Sequence, residues 1–154
     1  MRYDCICLSV NDVKASKEFY QDLMGLEVKN DWGINISFNC GISLQQHFDY
    51  IVGVPKESIV SRSHNMELVF EDDDFDGFVE KLEKYPNIKL VKNGVVEQPW
   101  GQRVIHFYDL DGHIIEVGEN FLQVIKRFMS LGLPIEEVAK RCCMSVEDIE
   151  KYLS

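Results

Sequence analysis

The two halves of this chain repeat one order of turns and strand ends. In each half an apolar strand leads to an acidic turn, a helix-like stretch and further strands. Cys5 stands seven residues before Asp12, and Glu67 stands seven residues before the second acidic turn. Gln45 and Glu116 each stand four residues after a turn glycine. This spacing indicates a duplicated unit, and a duplicated sheet usually builds its site where the two copies meet.

Length and charge limit the functions that are open to the chain. A chain of 154 residues forms one compact domain or a tight pair of half-domains, and it can bury about two-thirds of its unfolded surface. The formal net charge of -10 opposes binding to nucleic acid or to an anionic membrane. The densest charge run, residues 71–74, is acidic. We interpret it as a solvated turn at a helix start, with calcium binding as the alternative.

The cysteines and the first residues indicate a reducing compartment. The five cysteines are odd in number, and none forms a CxxC pair. The segment MRYDCICLSV lacks the basic and long apolar regions of a secretion signal, and no apolar run approaches the length of a membrane span. We therefore expect a cytoplasmic protein with free thiols. Buried thiols are the simple interpretation of Cys5 and Cys7, and nucleophilic thiols are the alternative.

Alternation of apolar and polar residues predicts strands along the first 119 residues. A helix with its N-cap at Asp12 follows the first strand of one half, and a helix at 75–83 follows that of the other. Residues 49–63 show no period and are predicted to be a connector. The predicted strands are 3–10, 27–29, 34–39, 42–47, 66–71, 89–92, 104–108 and 113–117.

One face of each strand is apolar and must be covered by helices, which leaves the other face to line a cavity. Strand 104–108 allows two alternatives. With Ile105 and Phe107 in the core, His106 and Tyr108 face the cavity, whereas the opposite choice brings Arg103 there; we favour the first. The predicted cavity residues of the other strands are Cys5, Cys7, Asn35, Ser37, Ser43, Gln45, His47, Glu67 and Glu116.

Helical periodicity replaces alternation after Glu119. Pro134 suits the first turn of a second helix, and Ser145 with Asp148 forms a capping box for a third. We predict a domain at 1–119 and a helical tail at 120–154. The tail resembles small helix-turn-helix ends of bacterial proteins. Its last part carries more acidic than basic residues, which disfavours DNA binding and favours packing against the sheet domain or a second subunit.

Residues 10–28, VNDVKASKEFYQDLMGLEV, and 98–119, QPWGQRVIHFYDLDGHIIEVGE, resemble the two signature stretches of the vicinal-oxygen-chelate superfamily. This group includes glyoxalase I, bleomycin-resistance proteins and extradiol dioxygenases. The resemblance covers residues 1–119. It implies an α+β fold in which two βαβββ modules form a curled mixed sheet with a cleft, plus a small C-terminal helical extension. The turn departs from the usual DPDG of the family at Leu110.

Enzymes of this superfamily hold a divalent metal through the first and last strands of each module. The matching positions here are Cys5, Gln45, Glu67 and Glu116, and only the glutamates are residues the family usually has there. This mixed set leaves open whether a divalent metal or no cofactor is bound. The alternative ligands are His47 and His106, which substitute if the strand registers differ by two residues. Without metal, one glutamate can act as the base that removes a proton beside a carbonyl. Alternatively, the two glutamates lie too far apart to couple or hold waters in a polar cleft.

The resemblance implies a protein that binds a small molecule, commonly as a homodimer. It is either a metal-dependent glyoxalase-like lyase or isomerase, with Glu67 and Glu116 as catalytic residues, or a non-catalytic sequestering or sensing module with the helical tail as an interaction element. Trp100 is either an aromatic wall for a planar ligand or ordinary packing at the sheet edge. The expected ligand-binding residues are Cys5, Ser43, His47, Trp100, His106 and Tyr108.

Overall fold

The chain forms two compact units, each containing a strand-helix-strand module. A computed structural model describes all 154 residues. The first unit comprises residues 1–66 and 108–114, and the second comprises residues 67–107 and 115–154. None of the helices has the length and apolar character that crossing a membrane requires. The predicted α+β class with two βαβββ modules and a C-terminal helical segment is confirmed.

The first module is a four-stranded sheet in the order β1-β4-β3-β2. Strands β1 and β4 are parallel, and the other neighbours are antiparallel. A short helix and a 3-10 turn at Lys56–Ser58 follow the sheet. The elements are β1 (Ile6–Val10), α1 (Val13–Asp22), β2 (Val28–Asp31), β3 (Asn35–Phe38), β4 (Ile42–Gln46) and α2 (Phe48–Val52).

The second module is a sheet in the order β5-β9-β8-β6, with the short strand β7 paired to β8. Three helices follow it to the end of the chain. The elements are β5 (Glu67–Asp72), α3 (Phe75–Lys84), β6 (Lys89–Leu90), β7 (Val96–Glu97), β8 (Arg103–Tyr108), β9 (Ile114–Glu119), α4 (Phe121–Ser130), α5 (Ile135–Arg141) and α6 (Val146–Leu153).

Three local predictions were wrong. The connector 49–63 contains most of α2 and the 3-10 turn, which bury no residue and so leave no apolar period. Strand β7 was not predicted, because two residues paired to a distant strand leave no alternation. His47 does not extend β4: its φ of 57° is left-handed, and it forms the N-cap of α2.

The predicted alternation of burial holds in β1 and β3, whereas β4 is buried on both faces, including Ser43 and Gln45. Leu8 and Val10 are buried, whereas Cys7, the residue before Leu8, is exposed, so the interpretation of Cys7 as a buried thiol is wrong. Ile105 and Phe107 are buried, as the favoured alternative for strand 104–108 predicts. The side chains that the sequence placed away from the core therefore share one face of each strand.

A buried carboxylate joins the two signature stretches within the first unit. Asp109, whose side chain is 2 % exposed, accepts hydrogen bonds from the Tyr20 hydroxyl (2.8 Å) and from His113 Nδ1 (2.7 Å). The backbone N–H groups of Asp111 and His113 donate to its other oxygen. Burial alone would raise the pKa of Asp109, but these hydrogen bonds outweigh burial and hold the pKa below its ordinary value.

A second buried carboxylate fixes helix α4 in the second unit. Glu119, whose side chain is 3 % exposed, accepts hydrogen bonds from Arg103 on β8 and Arg127 on α4. Arg127 also donates to the carbonyl of Gly101 at 2.6 Å. Burial raises the pKa of Glu119, but the two guanidinium groups outweigh it, so that the pKa lies below its ordinary value. Helix α4 is thereby tied to the end of β9.

The three C-terminal helices share one apolar core. Ser145 caps α6 by accepting from the Asp148 N–H, as the capping box predicts. Helix α4 approaches the PWG turn so closely that a Cβ on Gly101 would overlap the Phe128 ring. The buried residues of this core are Val124, Ile125, Phe128, Val138, Ala139, Cys142 and Ile149.

We predict that Tyr20→Phe lowers the free energy of unfolding by about 1–3 kcal/mol, because the buried Asp109 carboxylate loses a donor. Urea unfolding followed by circular dichroism measures the change. The matched control is Tyr50→Phe, since Tyr50 is exposed and its change should stay within about 0.5 kcal/mol. Equal stability of the Tyr20 variant and wild type would contradict this role of the Tyr20 hydroxyl.

Stability should also fall at acidic pH. The pKa values of Glu119 and Asp109 are lowered on folding from ordinary values of 4.5 and 3.8. Their stabilising contribution is therefore complete above these values and is lost as the pH falls through the folded-state pKa. The pKa of His113 is raised from 6.5, so its contribution is complete below 6.5 and is lost as the pH rises through the raised value.

Urea midpoints measured from neutral pH to about pH 3 check this dependence. We expect Glu119→Gln to be less stable at neutral pH and to lose less stability on acidification than wild type does. An acid-induced loss of the same size in that variant would show that Glu119 does not carry the dependence.

Candidate functional site

Three titratable side chains meet on neighbouring strands of the second sheet. Glu67 lies on β5, Glu116 on β9 and His106 on β8, with β9 in the middle. His106 Nε2 lies 2.7 Å from Glu116 Oε2 and 3.6 Å from Glu67 Oε2. One donor atom from each residue lies within 4.8 Å of the others. We call this group the Glu-His-Glu cluster.

The alternation of the strands brings these residues together. Leu68, Ile105 and Ile115 are each next in sequence to a cluster residue and are buried, so the cluster side chains point to the opposite face. Exposure differs among the three side chains: it is 43 % for Glu67, 17 % for His106 and 13 % for Glu116. Glu67 is therefore the cluster residue most accessible from solvent.

The donor set of the cluster fits a divalent first-row metal. Two carboxylates and one imidazole suit Mn²⁺, Fe²⁺, Co²⁺, Ni²⁺ or Zn²⁺ better than Mg²⁺ or Ca²⁺, which prefer oxygen ligands alone. Three protein ligands leave coordination positions open for water or a substrate oxygen. The chain thus offers a place for the divalent metal that the superfamily resemblance implies.

The sequence predicts His106 as a ligand-binding residue and names it only as a substitute for the metal set. The alternation of strand 104–108 did place His106 on the same side as Glu116. The missing information was the strand order β5-β9-β8, which sequence alone does not supply. His106 is the cluster residue that the tertiary structure adds.

The other two residues of the predicted metal set lie in the first unit and make contacts there. Gln45 is buried: its Oε1 accepts from Asn35 Nδ2 at 2.8 Å, and its Nε2 donates to the carbonyls of Ile34 and Gln46. These bonds engage both polar atoms of the amide in joining β3 to β4. A metal-ligating role would require some of them to break, and for Gln45 that role stays a prediction.

Cys5 lies just before β1, with its Sγ 3.5 Å from Ser43 Oγ. Ser43 is buried, and its hydroxyl donates to the carbonyl of Ile6. No charged group or histidine appears in these contacts. This surrounding suits a packed thiol rather than a nucleophile, and the predicted metal and ligand roles of Cys5 and Ser43 stay predictions.

Tyr108 contacts two residues that sequence reasoning missed. Its hydroxyl lies 2.7 Å from His64 Nε2, and the Arg62 guanidinium lies 4.6 Å from its ring centroid. Arg62 and His64 both have left-handed backbone with φ of 57°. They escaped the sequence reasoning because they stand at or just beyond the end of the predicted connector, where no strand pattern marks them.

Trp100 is partly buried in the second unit, and its indole N–H donates to Gln102 Oε1 at 3.0 Å. Gln102 is buried and donates in turn to the carbonyl of Glu119. The adjacent Gly101 packs against Phe128 of helix α4. These contacts favour the packing interpretation of Trp100 over the aromatic wall.

Comparison with known proteins places the chain in a family. Residues 3–122 match the model of the glyoxalase-like domain, and the chain belongs to this family, within the vicinal-oxygen-chelate superfamily. The uncharacterized protein YraH of Bacillus subtilis is 29 % identical over 120 residues, which cover 73 % of this chain and 93 % of that protein. The predicted family membership is confirmed, and helices α5 and α6 lie outside the matched segment.

Two solved structures show the same fold. A protein of unknown function from Agrobacterium tumefaciens is 34 % identical with a TM-score of 0.67, over 78 % of this chain and 94 % of that chain. A lactoylglutathione lyase from Agrobacterium tumefaciens is 25 % identical with a TM-score of 0.54, over 76 % of this chain and 92 % of that chain. Solved relatives therefore include one enzyme with a named reaction.

Proposed function

We propose that this protein is a glyoxalase-like lyase or isomerase that binds a small carbonyl compound at the Glu-His-Glu cluster. The observation that carries the proposal is the convergence of Glu67, His106 and Glu116 to within 4.8 Å on one sheet face. The similarity to a lactoylglutathione lyase supports a substrate with a carbonyl next to a carbon that bears a removable proton.

The three side chains suit different tasks. His106 Nε2 and Glu116 Oε2 lie 2.7 Å apart and both side chains are mostly shielded from solvent, which makes them the fixed part of the cluster. Glu67 is more exposed and lies farther from His106, so its carboxylate is free to approach a bound molecule. We assign Glu67 as the general base and Glu116 as the residue that orients His106.

A divalent metal held by Glu67, His106 and Glu116 would polarise a substrate oxygen and so acidify the neighbouring C–H bond. The chain itself contributes the three oriented donor atoms, and the carboxylate of Glu67, one of the three residues, accepts the proton. The buried residues under the sheet hold the strands in register, so the spacing of these donors does not depend on a mobile loop.

Metal binding should stabilise the folded protein. With free Mn²⁺, Ni²⁺ or Zn²⁺ at about a hundred times its Kd, we expect a gain of roughly 2.7 kcal/mol, because the ion binds the folded chain. Thermal melts with and without each ion measure it. His106→Gln should abolish the gain, whereas His64→Gln, a matched change outside the cluster, should keep it. An equal gain in both variants would place the metal elsewhere.

Catalysis should appear as exchange of carbon-bound hydrogen. We expect the protein to speed deuterium incorporation next to the carbonyl of S-lactoylglutathione or of simple 2-hydroxy ketones in D₂O, as followed by proton NMR. Glu67→Gln should slow the exchange by about a hundredfold, because the base is lost. Glu71→Gln, on the same strand, should leave the rate unchanged. If the two variants exchanged equally fast, Glu67 would not be the base.

A non-catalytic sequestering or sensing module is the second candidate. The 2.7 Å contact between His106 and Glu116 favours it, since these side chains satisfy each other without metal or substrate. The same NMR samples separate the two functions: a compound whose resonances broaden or shift on binding, with no deuterium exchange, supports the binding module. Exchange that depends on Glu67 supports the enzyme.

We propose a small-molecule ligand and a homodimer in the cytoplasm, in line with the family resemblance. The formal charge of -10 argues against nucleic acid and anionic membranes as partners. The helical tail is proposed as a packing element of residues 120–154, beside the glyoxalase-like domain of residues 1–119.

A further inference from the structure

A polar cavity in the first unit lies apart from the Glu-His-Glu cluster and shares no residue with it. Its volume is about 380 Å³, within the range of small-molecule pockets. The ends of β1 and β4, the start of α2, the connector and the turn at residues 109–113 form its walls. Its lining includes the polar side chains Ser9, Asn11, Lys56, Ser61 and His113.

His113 is the best oriented of these side chains. Its Nδ1 donates to Asp109 at 2.7 Å, and Asp109 is held in turn by the Tyr20 hydroxyl. These contacts fix the imidazole ring, and Nε2 is the ring nitrogen that remains available to bind a ligand in the cavity. Burial lowers the pKa of His113, but the hydrogen bond and charge of Asp109 outweigh burial and raise the pKa above its ordinary value. The cavity is therefore lined by an oriented imidazole, and the Asp109 carboxylate favours its protonated form, in which Nε2 is a donor.

The other charged groups of the cavity determine what it accepts. Asp111 is already engaged, because it accepts from the Asn11 backbone and amide groups at 2.9 and 2.6 Å. Lys56 is exposed and adds a second cation, whereas Asp49 lies in the first turn of α2. Two nitrogen atoms of the lining, Lys56 Nζ and His113 Nε2, have no protein partner, against one such carboxylate, that of Asp49. Gln46 and His47 also line the cavity, and its apolar lining residues are Val10, Phe48, Ile59 and Val60.

We propose that this cavity binds a small organic carboxylate, which accepts a hydrogen bond from His113 Nε2 and lays a short apolar chain against Val10 and Phe48. Lys56 supplies the second positive charge, and Asp109 is a positioning residue that fixes the imidazole. A charged donor facing a carboxylate forms a strong hydrogen bond. This proposal does not rest on the proposed activity, because the cluster and the cavity use different residues.

Sodium butyrate is the probe, and butyramide is its uncharged control. Proton–nitrogen NMR spectra of the full chain are recorded while either compound is added up to about 100 mM, which covers weak binding in the millimolar range. We expect butyrate to shift the resonances of His113 and Ser61 in a saturable manner and butyramide to leave them unchanged. Absence of saturable shifts with butyrate, or equal shifts with butyramide, would overturn the proposal.

Variants identify the donor. His113→Asn keeps an N–H that can reach Asp109 but removes Nε2, so we expect the Kd of butyrate to rise about tenfold or more. Lys56→Gln should weaken binding by a smaller factor. The matched controls His64→Asn and Lys92→Gln should bind as wild type does. Unchanged affinity in both Lys56→Gln and a folded His113→Asn protein would overturn the proposal.

A pH series on wild type tests the same donor without a substitution. Butyrate affinity should fall as the pH rises through the raised pKa of His113, since the imidazolium loses its charge. The titratable groups around the ring are Asp109, Asp111, Tyr20, Lys56, Asp49 and His47. The pKa is read from the ring-proton shifts of His113 itself, which separates it from His47. Affinity that follows another group instead would overturn the assignment.

Discussion

The first unit depends on the buried carboxylate of Asp109. This side chain receives hydrogen bonds from helix α1, from the ring of His113 and from two backbone N–H groups of its own turn. A buried charge is tolerable only when it is fully hydrogen-bonded. The Tyr20 hydroxyl and the Asp109 carboxylate thus explain why the two signature stretches occur together: each supplies one side of the same contact.

Glu119 has the corresponding role in the second unit. It lies at the end of β9 and receives both Arg103 from the sheet and Arg127 from α4. Because Phe128 also packs on Gly101, helix α4 is part of the second unit's core. Asp109 and Glu119 are therefore both paired carboxylates, one in the turn before β9 and one at the end of β9. The Glu-His-Glu cluster lies on the sheet face opposite the core in the second unit.

Alternation along the strands was enough to predict that Glu67, His106 and Glu116 point away from the core. It was not enough to predict their contact, because strand order is a tertiary property. Gln45 shows a second limit of prediction from sequence. Its face was predicted correctly, but the Asn35 amide and two carbonyls engage its side chain, and hydrogen-bond partners across strands leave no mark in a single sequence. His113 was predicted to begin the strand 113–117, but it lies in the turn before β9, and its contact with Asp109 leaves no mark in the sequence.

The sequence by itself determined the paired modules, the helical tail, the family and the polar face of each strand. These features depend on local spacing, since periods of 2 and 3.6 residues and turn glycines are visible in the order of residues. Only the tertiary structure decided that His106 joins the two glutamates and that His113 is oriented by Asp109. Both pairings follow from which strands and turns are neighbours in space, which is set by packing of the whole chain and not by any short stretch of it.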